Sequence, residues 1–362
     1  MRTLVPLACV LLAGLAAAQE EAAAQRPEPV GLKSVGPLAF APNTLLVSDR
    51  VAASIHAISL GELDGVGLRA GTEVEGVDRK LAALLSTTTD QLQIVDMAVH
   101  PDSRLVFFAV QRGDGPDAMP VLALMHADGK MVLFELEGRA SHSVKLPNPP
   151  EPGQGRNRER HLESITDVAY VDGKVVVAGL SNEEFASKLR VLDYPFASAD
   201  AGASVEIYHG AHGALETRSP VRTFVPYMIG GDPALLAAYT CTPLVRLELS
   251  ELQPGKKVKG VTVAELGNRN RPLDMIVYEK DGGQYLLIAN SSRGVMKVPT
   301  AGVEDAVAIE ARVAGGGTAG IDYQTIESLE GVVQLDKLDD EHAVILVQTE
   351  DGRLDLRVIA LP

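Results

Sequence analysis

Hydrophobic positions in this chain fall into short runs, separated by turns rich in Gly, Asp, Asn and Pro. Three times an aspartate opens such a run: Val95-Asp96-Met97-Ala98-Val99, Thr166-Asp167-Val168-Ala169-Tyr170 and Leu273-Asp274-Met275-Ile276-Val277. A tight turn follows each copy, then a second run that is apolar on both faces, as in Leu105-Val106-Phe107-Phe108-Ala109-Val110. A short continuous apolar run bounded by turn residues reads as a strand covered from both sides. Recurrence of the whole pattern at a near-constant interval marks a repeat architecture.

Six units align, beginning near residues 37, 96, 167, 223, 274 and 331, at intervals of 51 to 71 residues. That length suits a four-stranded antiparallel unit with generous loops. The turns at 41–43, 101–103, 171–173, 230–233, 281–283 and 339–341 carry the residue types that hairpins demand. The pattern therefore predicts an all-β fold, a single β-propeller of six four-stranded blades. The last unit shows only three strands, so residues 30–35 are expected to add the fourth and close the ring with an N-terminal strand. One segment breaks the β pattern. Leu81, Leu84 and Leu85 stand at helical spacing and predict a short helix over 78–85, capped by Asp78.

Composition adds a compartment and removes several partners. Arg2, the apolar stretch 4–15 and Ala16-Ala17-Ala18 read as a signal peptide over 1–18, cleaved near Ala18. Residues 19–29 read as a flexible leader and 30–362 as the propeller domain of a secreted or periplasmic protein. Cleavage would leave Cys241 as the single cysteine, which excludes an intramolecular disulfide. A net charge of −15 without any Lys/Arg-rich run excludes nucleic acid as a partner and argues against anionic membrane surfaces. No stretch is long and apolar enough to span a membrane. The absence of Trp and an aromatic content of 4% argue against sugar-stacking platforms and a WD-type propeller.

The start of each inner strand and the end of each second strand reach the same face, so one set of loops converges there. Those loops cover residues 48–50, 111–114, 156–165, 181–184, 209–222, 240–242, 267–272 and 290–293. Asp96, Asp167 and Asp274 would stand at the channel mouth. With the amide oxygens of Asn182 and Asn290 they make an oxygen-rich set suited to Ca²⁺ or another divalent cation. The competing reading is that each Asp accepts backbone N–H bonds and holds its own loop. Arg222, Arg269, Arg271 and Arg293, with Glu183 and His161, form a ligand-binding candidate, because guanidinium groups pair with carboxylate or phosphate. The same arginines can instead neutralise nearby carboxylates. His209 and His212 are candidates for proton transfer, or with Cys241 for a soft metal such as zinc or copper.

The segments Ser164-Ile165-Thr166-Asp167-Val168-Ala169-Tyr170 and Ala178-Gly179-Leu180-Ser181-Asn182-Glu183-Glu184-Phe185 resemble six-bladed propellers of the NHL and SMP-30/lactonase kind. Residues 267–275 and Ala289-Asn290-Ser291-Ser292-Arg293-Gly294 resemble stretches of secreted bacterial propeller proteins to which no reaction is attached. The lactonase resemblance implies Ca²⁺ held in the channel by carboxylate and amide oxygens, a role open to the Asp and Asn residues above. Two expectations follow. The first is a propeller that binds a small ligand or a protein partner on its loop-rich channel face. The second is a divalent-metal-assisted hydrolase or lyase on the same face, with His209 or His212 moving protons.

Overall fold

The computed structural model describes residues 30–115, 118–241 and 243–362; the expected signal peptide over 1–18 and leader over 19–29 lie outside the described residues. Strands dominate, gathered into six sheets around a central channel, a six-bladed β-propeller whose pairings are antiparallel except between Ala203–His209 and Lys257–Lys259. Numbered in chain order, blade 1 holds Leu38–Ala41, Thr44–Asp49 and Ser54–Ser59, and blade 2 holds Leu92–Val99, Val106–Arg112, Met119–Met125 and Met131–Leu133. Blade 3 holds Asp167–Val171, Lys174–Leu180, Ser187–Asp193 and Ala203–His209. Blade 4 holds Val221–Ile229, Asp232–Tyr239, Pro243–Glu248 and Val261–Leu266. Blade 5 holds Pro272–Lys280, Gly283–Asn290, Gly294–Pro299 and Gln324–Thr325, and blade 6 holds Val332–Lys337, His342–Gln348 and Leu354–Ala360. Each inner hairpin turns at its Asn, Asp or Gly residues, with Asn43, Asp172 and Asp281 all at positive φ.

The blades do not follow one another around the ring in chain order. Inner strands of blades 1 and 3, 3 and 4, 4 and 5, 5 and 6, 6 and 2, and 2 and 1 are neighbours. Blade 2 therefore sits between blades 6 and 1. Two short strands stitch this exchange. Ser141–Lys145, which follows blade 2 in sequence, is the outer strand of blade 1, pairing Ile55 with Val144. Glu73–Val74, which precedes blade 2, is the outer strand of blade 6, pairing Leu356 with Val74. The sequence expectation of closure by residues 30–35 is thus corrected: that segment forms no strand, and Val35 instead packs into the apolar layer between blades 1 and 2. A pair of residues on the blade 1 to blade 2 crossover already covers the edge of blade 6, so that edge offers no place for it.

The core is six apolar layers, one at each blade interface. Phe107, fully buried, meets Phe40 and Phe134 edge-on at centroid distances of 5.3 and 5.1 Å between blades 1 and 2. This explains why the second strands are apolar on both faces: each is pressed between two neighbours. The expected helix is present at Val77–Leu84, but its cap is Gly76 at φ 63° and not Asp78. Asp78 lies in the first turn, where its carboxylate accepts from the Leu354 N–H at 3.2 Å and ties the helix to blade 6. A second helix, Arg156–Leu162, lies where the sequence reads as a loop. Among the described residues no helix is long and apolar enough to cross a membrane.

Candidate functional site

The channel carries a ring of inner-strand carboxylates. Asp96, Asp167 and Asp274 line both one half of it, about 540 Å³, and a mouth of about 430 Å³ on the loop-rich side. Each accepts hydrogen bonds from main-chain donors. Asp167 accepts from its own Val168 N–H at 2.8 Å and from Phe224 N–H of blade 4 at 2.8 Å. Asp274 accepts from Met275 at 2.8 Å and from Leu335 of blade 6 at 2.9 Å. Asp96 accepts from Leu38 of blade 1 at 2.6 Å. A fourth carboxylate, Asp336, accepts from Lys337 at 2.7 Å and from Val99 of blade 2 at 2.7 Å. All four staples run in the same direction around the ring.

Register explains which blades carry the motif. A bulge precedes the key position in blades 2, 4, 5 and 6, placing Asp96, Thr223, Asp274 and Gln334 opposite Ala109, Ala238, Ala289 and Leu346. Blade 6 therefore substitutes Gln334 there, and Asp336 two residues on makes the staple. The four carboxylates are half-buried by area, since water reaches the channel, yet the inner strands wall them in. Burial pushes Asp167 up to about 7 and Asp336 up to about 6, against the bonds from their backbone donors. Burial likewise holds Asp96 and Asp274 well above the usual carboxylate range, with mutual repulsion among the ring adding to it.

The oxygen-ligand set expected from sequence is not assembled. Asn182 is exposed, and its backbone N–H bonds the Asn148 carbonyl at 3.0 Å. Asn290 donates to Asn270 Oδ1 at 3.1 Å and accepts from Ser292 N–H at 3.1 Å, holding its own turn. Neither lines the channel or its mouth, so the aspartates remain there as inter-blade staples.

Three arginines meet the carboxylates at the mouth. Arg50, Arg222 and Arg271 line it with Glu159, Glu163 and the three aspartates. Arg222 pairs with Glu163 at 2.7 Å and donates from Nε to Thr240 at 3.1 Å. Arg50 donates from Nε to the Val35 carbonyl at 3.2 Å. Among the described residues neither Arg50 nor Arg271 has a carboxylate at ion-pair distance. Burial lowers Arg50 from its ordinary value, and the neighbouring Arg271 pushes the same way against Asp96. Arg271 overhangs the mouth and is lowered by the dense wall around it and by Arg222, against Glu163. The unforeseen helix Arg156–Leu162 roofs one side, bringing Glu159 and Leu162 to the cavity.

Other expected binding residues stand elsewhere. His161 turns its ring nitrogens to the Pro150 and Val51 carbonyls, at 2.5 and 3.0 Å, and so fastens the roof helix to blade 1. Glu183 pairs with the buried Lys188 at 2.7 Å. Arg293 donates to the Asn268 carbonyl at 3.1 Å and lines a separate cleft between blades 5 and 6. Arg269 is exposed on a turn at φ 56°. Arg50 was missed from sequence. It is a lone arginine after a buried strand, and its only signal was membership of the 48–50 loop.

His209 and His212 lie off the channel, between blades 3 and 4, and take no part in the aspartate ring. The loop joining them is pressed against Glu265, whose carboxylate accepts from the Gly210 N–H. A Cβ at Gly210 would stand 2.9 Å from Glu265 Cγ, which is why glycine fits there. Glu216 contacts both rings, with His209 Nδ1 at 3.0 Å from one oxygen and His212 Nδ1 against the other. Burial works to raise Glu216, but both imidazoles and Ser219 outweigh it and hold the carboxyl down to about 2.

No protein-family model and no curated relative matches the chain. Among solved structures it is similar to the PQQ-bound form of an aldose sugar dehydrogenase from Streptomyces coelicolor. The match has 15% identity and a TM-score of 0.29, and it covers 92% of this chain and 97% of that one. A likeness of that extent transfers no chemistry to this chain.

Proposed function

We propose that this is an exported propeller whose channel mouth binds a small anionic ligand, one bearing carboxylate or phosphate groups. The observation that carries the reading is the trio Arg50, Arg222 and Arg271 around one cavity of about 430 Å³, with only Arg222 paired to a carboxylate. Three guanidinium groups crowded together repel one another, and a bound anion relieves that repulsion while accepting bidentate hydrogen bonds. Burial holds the Asp96 and Asp274 carboxyls beneath them well above the usual carboxylate range, which lowers the negative charge of the floor. The cavity lies in the size range of small-molecule sites. Export is supported by the n-region, apolar run and small-residue site of residues 1–18.

The test is calorimetric titration with inorganic phosphate and with citrate, at low and at physiological salt. Wild type should bind at least one of them saturably, more weakly as salt rises. Arg50→Ala and Arg271→Ala should each weaken binding by roughly 10- to 100-fold, the size expected for losing a hydrogen bond to a charged group. No saturable binding to wild type, or equal binding by the double variant, rules the reading out.

A further inference from the structure

We infer that His209, His212 and Cys241 form a transition-metal site for Zn²⁺, braced by Glu216. Cys241 follows the second strand of blade 4, and both histidines flank the turn after the outer strand of blade 3. One ligand atom from each of the three lies within 4.8 Å of the others. The loops are held in place independently of any ligand: the Cys241 N–H donates to the Asn270 carbonyl at 2.8 Å, and Gly213 closes the histidine turn on the His209 carbonyl at 2.8 Å.

The second observation is the state of His209. The residue is 2% exposed, and both ring nitrogens are buried without an aligned hydrogen-bond partner. Nδ1 stands at ion-pair distance from Glu216, 3.0 Å, but off the line a hydrogen bond needs. A buried ring nitrogen such as Nε2 without a partner is costly, and a metal ion supplies the missing one. The two imidazole rings also lie with centroids 3.9 Å apart and planes at 36°, so both rings face the same small space. With each Nδ1 turned to Glu216, Nε2 is the nitrogen left to bind, the arrangement in which a carboxylate orients a metal-bound histidine.

Two imidazoles and a thiolate suit zinc, and three protein ligands leave a fourth position for water or a small ligand. Donors on one tetrahedral ion stand roughly 3.3–3.8 Å apart, given bonds of about 2.0–2.3 Å. The present spacing therefore needs a contraction of about 1 Å on that standard. His212, whose side chain is 55% exposed, is free to make it. Binding deprotonates Cys241, and that proton leaves to solvent.

The full chain, stripped with chelator and reloaded, should take up one Zn²⁺ that survives gel filtration. Co²⁺ in its place should show a thiolate-to-metal charge-transfer band in the near ultraviolet. Cys241→Ser should abolish that band, and Cys241→Ser or His212→Ala should weaken Zn²⁺ at least about 100-fold, the upper end of what outer partners alone cost. Glu216→Gln should weaken it by about 10- to 100-fold, and Asp96→Asn should change nothing. His212 and Cys241 are not part of the buried core, so both exchanges can be made with far-ultraviolet dichroism unchanged; His209 is left intact. The proposal is overturned if wild type retains no Zn²⁺, if either variant retains it as tightly, or if Co²⁺ gives no thiolate band.

Discussion

Asp167 shows how one side chain joins secondary structure to ring assembly. Its two oxygens accept from Val168 in its own strand and Phe224 in the next blade. Asp96, Asp274 and Asp336 make the same junction at three other interfaces. Bonds to a charged acceptor stabilise by about 1.5–3 kcal/mol each, and a buried donor left alone is costly. Asp167→Ala should therefore lower stability by about 2–4 kcal/mol, and Asp167→Asn, which keeps one acceptor, by less. Urea unfolding at pH 8, above the value of about 7 at which Asp167 ionises in the fold, measures both. A loss for Asp167→Ala below about 0.5 kcal/mol, the scale of an ordinary surface change, would mean that channel water replaces the carboxylate. The role of Asp96, Asp167 and Asp274 as main-chain acceptors could be read in sequence as one of two alternatives, and that of Asp336 could not. Their partners could not, because each partner belongs to a blade remote in sequence.

At the scale of elements, the shortest strands decide the most. Glu73–Val74 contributes two residues, yet it is the outer edge of blade 6 and links that blade to the crossover ahead of blade 2. Val74 is buried in an apolar layer with Leu356, Val77 and Leu81. Val74→Asp places a carboxylate in that layer and should cost about 2–4 kcal/mol. Glu73→Ala, on the exposed side, should stay within about 0.5 kcal/mol. Hydrogen exchange should report the Val74→Asp effect first as faster exchange in Leu354–Ala360. Unchanged protection there would show that blade 6 does not depend on its short edge. Inner hairpins could be read from sequence because their turns and alternation are local. Two-residue strands and the Arg156–Leu162 helix could not, since neither carries enough periodicity to stand above the background and both are held by what they pack against.

At the scale of the molecule, the channel carboxylates set a pH dependence. A carboxyl whose folded value is raised binds more protons folded than unfolded, so it favours folding at low pH, and that advantage is lost as pH rises. The raised groups span a window from the ordinary 3.8 up to about 7 for Asp167 and about 6 for Asp336, with Asp96 and Asp274 shifted the same way. Stability should therefore fall as pH rises across that window, and Asp96→Asn should flatten the slope. Guanidinium unfolding midpoints at pH 5, 6, 7 and 8 test this; a midpoint that stays level or rises with pH would show that the fold does not hold these carboxyls protonated. The same upward shifts lower the negative charge beneath Arg50, Arg222 and Arg271, the condition on which the anion-binding proposal rests.

The repeat length, the inner strands, their hairpin turns and the six-bladed class all follow from the chain read alone, because the inner strands of each blade form an antiparallel meander whose contacts are mostly local. What tertiary structure alone decided is the placing of blade 2 between blades 6 and 1, and the closure by Glu73–Val74 instead of residues 30–35. It also decided which side chains meet. Arg50 joins Arg222 and Arg271, Asn182 and Asn290 stay away from the aspartates, and Cys241 reaches His209 and His212. Periodicity records which face of a strand is buried but not which neighbour buries it. Each of these meetings depends on that neighbour.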